Sequence, residues 1–108
     1  GFLGLFGSKG MNGYVPEAQA VEGAIIVDVR QPSEFARGHV PGALNIPGSS
    51  IGDIAKVAPG KDAPLYLYCQ SGARSGAAVR ALKGMGYTNV VNMGGVARYN
   101  GPLVKGVK

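Results

Sequence analysis

Four short apolar runs, each followed within a few residues by a stretch of helical character, constrain the fold of this chain more than any other feature. Residues 24–29, with Ile25, Ile26, Val27 and Val29, are too few for an amphipathic helix and read as a buried strand. Residues 32–36 then start a short helix, with Gln31 near its N-cap, Pro32 in its first turn and Gly38 as its stop. A second strand is expected over residues 43–46, between Pro41 and Pro47. Residues 49–57 follow as a helix with Ile51, Ile54 and Val57 on one face, ended by Pro59-Gly60. Residues 65–68 give the third strand. Residues 75–85 give the longest helix, with Ala78, Val79, Leu82 and Met85 three and four apart and Gly84 or Gly86 for its C-cap. Residues 89–93 form a fourth strand, Gly94-Gly95 break it, and residues 96–99 add a last helical turn. Ahead of all these, residues 15–21 suit a short helix with Pro16 in its first turn. Strands that alternate with helices imply an α/β fold around a parallel sheet.

At 108 residues the chain has room for one domain, expected over residues 14–108. The opening, residues 1–13, spaces Phe2, Leu3, Leu5 and Phe6 among glycines, and no helical or alternating pattern survives there. It is expected to be a flexible segment, an expression tag or the remnant of a precursor. A membrane-spanning helix needs about 20 consecutive apolar residues, and the apolar runs here are far shorter. No membrane span is therefore expected. The sequence also carries neither a metal-ligand cluster nor a dinucleotide fingerprint, so no metal and no cofactor are expected.

Cys69 is the sole cysteine, which excludes an internal disulfide and a zinc site built from several thiolates. It is either buried filler or reactive. It stands where the third strand runs into Gln70-Ser71-Gly72-Ala73-Arg74-Ser75, and in parallel α/β sheets ligands gather at such strand ends. A loop of this length, with Gly72 supplying unusual backbone angles, can turn successive N–H groups inward. Together with the positive end of the following helix, such a nest favours a thiolate and an anionic substrate. Arg74 adds a full charge and a fork suited to an oxyanion. Charge agrees with this placement. The net charge is +5, yet every acid lies at or before Asp62, so the half containing Cys69 is wholly cationic. The bland reading is a charge that serves solubility. Nucleic acid is not an expected partner, because the basic residues form no run and no helical stripe.

The ordered set of motifs resembles the rhodanese family, the thiosulfate sulfurtransferase domain in its single-domain form, over residues 13–106. It comprises Asp28-Val29-Arg30 with Glu34-Phe35, then Gly38-His39-Val40-Pro41-Gly42-Ala43 leading to Asn45-Ile46-Pro47. The Cys69 loop, Gly86-Tyr87 and Gly94-Gly95 complete it. The resemblance implies a three-layer α/β fold with a central, mainly parallel sheet flanked by helices. It also implies catalysis by Cys69 through a persulfide, taking sulfane sulfur from thiosulfate or a related small anionic donor and giving it to cyanide or a thiol. On this reading residues Gln70, Ser71, Gly72, Ala73, Arg74 and Ser75 bind substrate, with Arg74 as the clamp. The alternative is a persulfide carrier or interaction domain that delivers sulfur to a thioredoxin-like or other acceptor protein. Related phosphatases and arsenate reductases carry an arginine six positions after the cysteine. Here that position is Ser75, and the shorter loop to Arg74 favours sulfur over phosphate. Gln70 departs from the basic residue often found directly after the cysteine, and Tyr99 lies where a tryptophan is common.

The remaining polar residues read as support. Asp28 is expected to accept hydrogen bonds that orient the active loop, and Arg30 to pair with an acid such as Glu34. Ser75 serves either the nest or the helix as a cap. His39 reads as structural, and Tyr66 and Tyr68, two apart on a strand, as packing on one face. A monomer is expected, in the cytoplasm, or in the periplasm should the opening be a processed remnant.

Overall fold

The computed structural model describes residues 9–107. A sheet of four strands, all parallel and in the order β2-β1-β3-β4, forms the middle layer. The strands are β1 (Ile25–Asp28), β2 (Leu44–Asn45), β3 (Leu65–Cys69) and β4 (Val90–Gly95). Alternation along β3 decides which layer each side chain enters. Leu65, Leu67 and Cys69 pack on one face, with Ile51 and Ile54 of a 3-10 helix (Gly48–Lys56) and with Ala78, Val79 and Leu82 of a long helix (Ala73–Gly84). Tyr66 and Tyr68 pack on the other, as their spacing implies, with Met11, Val15 and Ala18 of α1 (Gly10–Ala20) and Phe35 of α2 (Pro32–Arg37). The long helix is α3. This is the α/β three-layer arrangement expected from the alternation of elements.

The elements differ from the expected ones at their ends, and each difference has a physical reason. Helix α1 starts at Gly10, ahead of the expected residue 15, because Met11, Val15 and Ala18 make a buried stripe that tertiary packing rewards despite Gly10, Gly13 and an interior Pro16. Residues 10–13, assigned to the flexible opening, therefore belong to the folded domain; residues 1–8 lie outside the described residues. Asn12 ties this turn to the far end of the chain, donating to the Arg98 carbonyl at 3.1 Å and accepting from the Asn100 N–H at 2.8 Å. The segment over residues 48–56 winds as a 3-10 helix with a break at Ser50, and Ala58 rather than Val57 takes the buried position after Ile54. Gly94-Gly95 do not break the fourth strand. Tyr68 pairs with Gly94 and Cys69 with Gly95, after a register shift that skips Met93. Finally, α3 begins at Ala73, two residues before the expected start, so Ala73 and Arg74 form its first turn.

Candidate active site

The end of β3 delivers Cys69 to the N-terminus of α3. Gly72, with φ +104°, is the residue before that helix and has no side chain with which to cap it. The Cys69 sulfur takes the cap's place. Its Sγ lies 3.0 Å from the Gly72 N–H and 3.3 Å from that of Ser75, the third residue of the helix, with the Ser75 hydroxyl at 3.4 Å. The residue is fully buried, so the sulfur forms the floor of the loop. Burial pushes the thiol up. The Ser75 hydroxyl and the N–H groups of Ser75, Gly72 and Ser71 outweigh it, and the thiol is held below its ordinary range. An unpaired helix terminus adds its dipole in the same sense.

The Ser75 hydroxyl has one proton and several acceptors. The nearest is Asn92 Oδ1 at 2.7 Å, which also accepts the Gly94 N–H at 3.0 Å; the Asn92 amide in turn donates to the Gly72 carbonyl at 3.1 Å. Asn92 thereby fixes Gly72 and Ser75, two of the three residues that donate to the sulfur, and the sequence reading missed it. Its trace in the sequence is a polar amide within an apolar strand; the register shift beside it arises only from pairing with β3. Gly95 lets the two meet, since a Cβ there would lie 2.4 Å from the Gln70 carbonyl oxygen and 2.7 Å from Ser71 Cα.

Asp28 and Arg30 form a buried pair, but not with the partners expected of them. Arg30 Nε lies 3.0 and 3.1 Å from the two Asp28 oxygens and Nη2 2.7 Å from Oδ2, and the Arg30 backbone N–H also donates to Asp28. Asp28 accepts no amide of the Cys69 loop. Arg30 reaches that loop instead, donating to Gln70 Oε1 at 3.3 Å and to the Gly38 carbonyl at 2.7 Å. Glu34, expected as a partner of Arg30, receives Arg74 at 2.7 and 3.0 Å, and its Oε1 accepts the Gln31 N–H at 3.0 Å. Those contacts, the Arg74 hydrogen bond foremost, push its carboxyl down to about 2. Arg74, expected as a free substrate clamp, is thus already paired. His39 lies apart from Cys69 in its contacts: its buried ring stacks on Phe35 at 3.6 Å, Nδ1 donates to the Phe35 carbonyl at 2.9 Å, and Nε2 has no partner among the described residues. No cluster of metal-ligating side chains occurs among the described residues.

Two grooves flank the loop, and Gln70 lines both. One, of about 460 Å³, runs past Arg30, Glu34, Arg37 and Leu103; the other, of about 610 Å³, lies between Ser71, Gly95, Asn12 and Arg98. The arrangement can hold a sulfur anion on fixed peptide dipoles and admit a small molecule beside it.

Comparison with known proteins bears on the family and the fold. The family model described as the Rhodanese-like domain matches residues 13–101. The thiosulfate sulfurtransferase PspE of Escherichia coli strain K12 is 42% identical over 81 residues, covering 74% of this chain and 78% of that protein. The thiosulfate sulfurtransferase GlpE of Pseudomonas entomophila is 37% identical over 78 residues, 72% of this chain and 71% of the relative. Among solved structures, one described as "rhodanese with anions from E. coli" superposes with a TM-score of 0.72 at 40% identity. It covers 77% of this chain and 99% of its own. The solution structure of a rhodanese-like domain from Anabaena gives 0.74 at 26% identity, over 87% and 76%.

Proposed function

The chain belongs to the rhodanese-like domain family, and from that premise we propose that it is a sulfurtransferase working through a persulfide on Cys69. The observation that carries the reading is a lone, buried sulfur that caps α3 and accepts the N–H groups of Gly72 and Ser75. The names of the relatives, thiosulfate sulfurtransferases at 42% and 37% identity, support the same donor class. In the first half-reaction the Cys69 thiolate attacks the outer sulfur of thiosulfate. The S–S bond of the donor breaks, sulfite leaves with the bonding pair as a dianion, and the enzyme keeps one sulfur as Cys69–S–S⁻. In the second, cyanide or a thiolate attacks that outer sulfur, and Cys69 departs as the thiolate. No proton moves at the reacting sulfur in either half, so no general base is required. The peptide N–H groups that face Sγ stabilise it as nucleophile and again as leaving group. An acceptor thiol presented by a protein, such as a thioredoxin-like partner, fits the same second step.

Steady-state transfer of sulfur from thiosulfate to cyanide tests the proposal, together with intact mass after donor alone. Turnover that vanishes in Cys69→Ser, with a one-sulfur mass gain confined to the cysteine form, supports it. Activity in the serine variant, or no mass gain with any sulfane donor, overturns it. A mass gain with very slow cyanide turnover identifies the carrier that hands sulfur to a protein.

A further inference from the structure

Resting on that sulfur-transfer reading, the arrangement of charge around the loop determines which donor it accepts. Arg74, in the first turn of α3, is the cation nearest the loop in sequence, and both of its terminal nitrogens lie on the Glu34 carboxylate at 2.7 and 3.0 Å. Glu34 is itself anchored by the Gln31 N–H at the start of α2, and its carboxyl, pushed down to about 2, is ionised at any working pH. Arg30 is matched in the same way by Asp28, and Gln70, which lines both grooves beside the loop, is neutral. The loop therefore presents peptide dipoles but no uncompensated charge of its own. Arg37 lines the groove that Glu34 also lines and Arg98 lines the other, and their contributions are common to every variant below.

We propose that Glu34 is a specificity-determining residue, an internal counter-ion that neutralises Arg74 and so limits the advantage a dianionic donor such as thiosulfate has over sulfane sulfur carrying less charge. Thiosulfate and methanethiosulfonate test this directly. They present the same kind of outer sulfur, one on a dianion and one on a monoanion, and when Cys69 takes it the S–S bond breaks to release sulfite from the first and methanesulfinate from the second. Glu34→Gln keeps the size and the oxygen that accepts from Gln31, and leaves Arg74 with a full unmatched charge. One unit of donor charge interacting with one freed protein charge across roughly 10 Å of partly screened medium corresponds to about a threefold to tenfold change. The ratio of kcat/KM for thiosulfate to that for methanethiosulfonate should rise by this factor in Glu34→Gln, mostly through KM, and the rise should shrink in about 0.5 M salt. Arg74→Ala should lower the ratio, because Glu34 is then the unmatched charge, and the double variant should return it to near the wild-type value.

An unchanged ratio in Glu34→Gln overturns the proposal. So does a fall in that variant, or a double variant as poor as Arg74→Ala, since either makes Arg74 the donor's clamp with Glu34 merely positioning it. These outcomes are distinct from failure of the sulfur-transfer reading, in which the wild-type protein takes sulfur from neither donor.

Discussion

Gly95→Ala separates the fold of the strand end from the geometry of the sulfur site. Gly95 has φ −113° and ψ 135°, ordinary extended angles for any residue, so the substitution brings no backbone strain. What it brings is one methyl group, placed 2.4 Å from the Gln70 carbonyl oxygen and 2.7–2.8 Å from Ser71 backbone atoms. All of these belong to the loop's main chain and none can rotate away. Restoring an ordinary contact of 3.4 Å at the Gln70 oxygen requires a displacement of about 1 Å. Carried two residues along, the same displacement takes the 3.0 Å contact between Gly72 N–H and Sγ to about 4 Å, where it no longer holds a charge. Overpacking of this kind costs about 1–3 kcal/mol in stability. Gly94→Ala is the control: φ +102° makes it strained, at about 1–3 kcal/mol, yet nothing lies within 4 Å of its Cβ. Chemical denaturation and the thiolate absorbance of Cys69 against pH measure the two effects apart. Both variants should lose comparable stability, and only Gly95→Ala should raise the pH at which Cys69 ionises. An unchanged ionisation in a folded Gly95→Ala protein would refute the dependence of the thiolate on loop position.

Three further perturbations have defined signs. Ser75→Ala removes one donor to the sulfur worth about 1 kcal/mol, and so should move the pH–rate profile of persulfide formation up by roughly 0.7 unit; an unmoved profile would mean that the hydroxyl donates its proton to Asn92 Oδ1 rather than to Sγ. Asp28→Asn leaves the buried Arg30 without its counter-charge, and urea unfolding should show a loss of about 3–5 kcal/mol; a loss under about 1 kcal/mol would mean that the neutral amide suffices. The carboxyl of Glu34 is depressed in the folded state, so its pair with Arg74 contributes stability above the ordinary carboxylate value of 4.5 and loses it as pH falls toward about 2. Because Arg74 is 44% exposed, that contribution is screened to well under about 1 kcal/mol. Wild type and Glu34→Gln should therefore differ slightly in melting temperature at pH 6 and converge near pH 2, and a gap that widens on acidification would contradict the assignment.

The strands and the place of Cys69 at the end of a strand ahead of a helix were legible because their signals are local. Short apolar runs, a loop with glycine at its centre and a helix with apolar spacing specify strands, a turn and a helix N-terminus from neighbours alone. What could not be read came from residues distant in sequence. The Met11, Val15 and Ala18 stripe is masked by Gly10 and Gly13, and only the sheet face across from it explains why those residues are helical. Gly94-Gly95 carry the composition of a breaker, but pairing with Tyr68 and Cys69 keeps them in the strand. Partner choice among charges was the least legible. Arg30 takes Asp28, two residues away, while Glu34 takes Arg74, forty residues on, and spacing along the chain gives no means of ranking the two. Asn92 was overlooked for a related reason: its amide acts on Gly72 and Ser75 only after β4 has been laid beside β3.

Titration of the Cys69 thiolate in the wild-type protein, followed by its absorbance or by its rate of alkylation, tests the account at its root. Half-ionisation is predicted below the ordinary cysteine value of 9.0, with Cys69→Ser providing the blank. Half-ionisation at or above that value would show that burial prevails over the Gly72, Ser71 and Ser75 donors, and would remove the physical basis for Cys69 as the nucleophile.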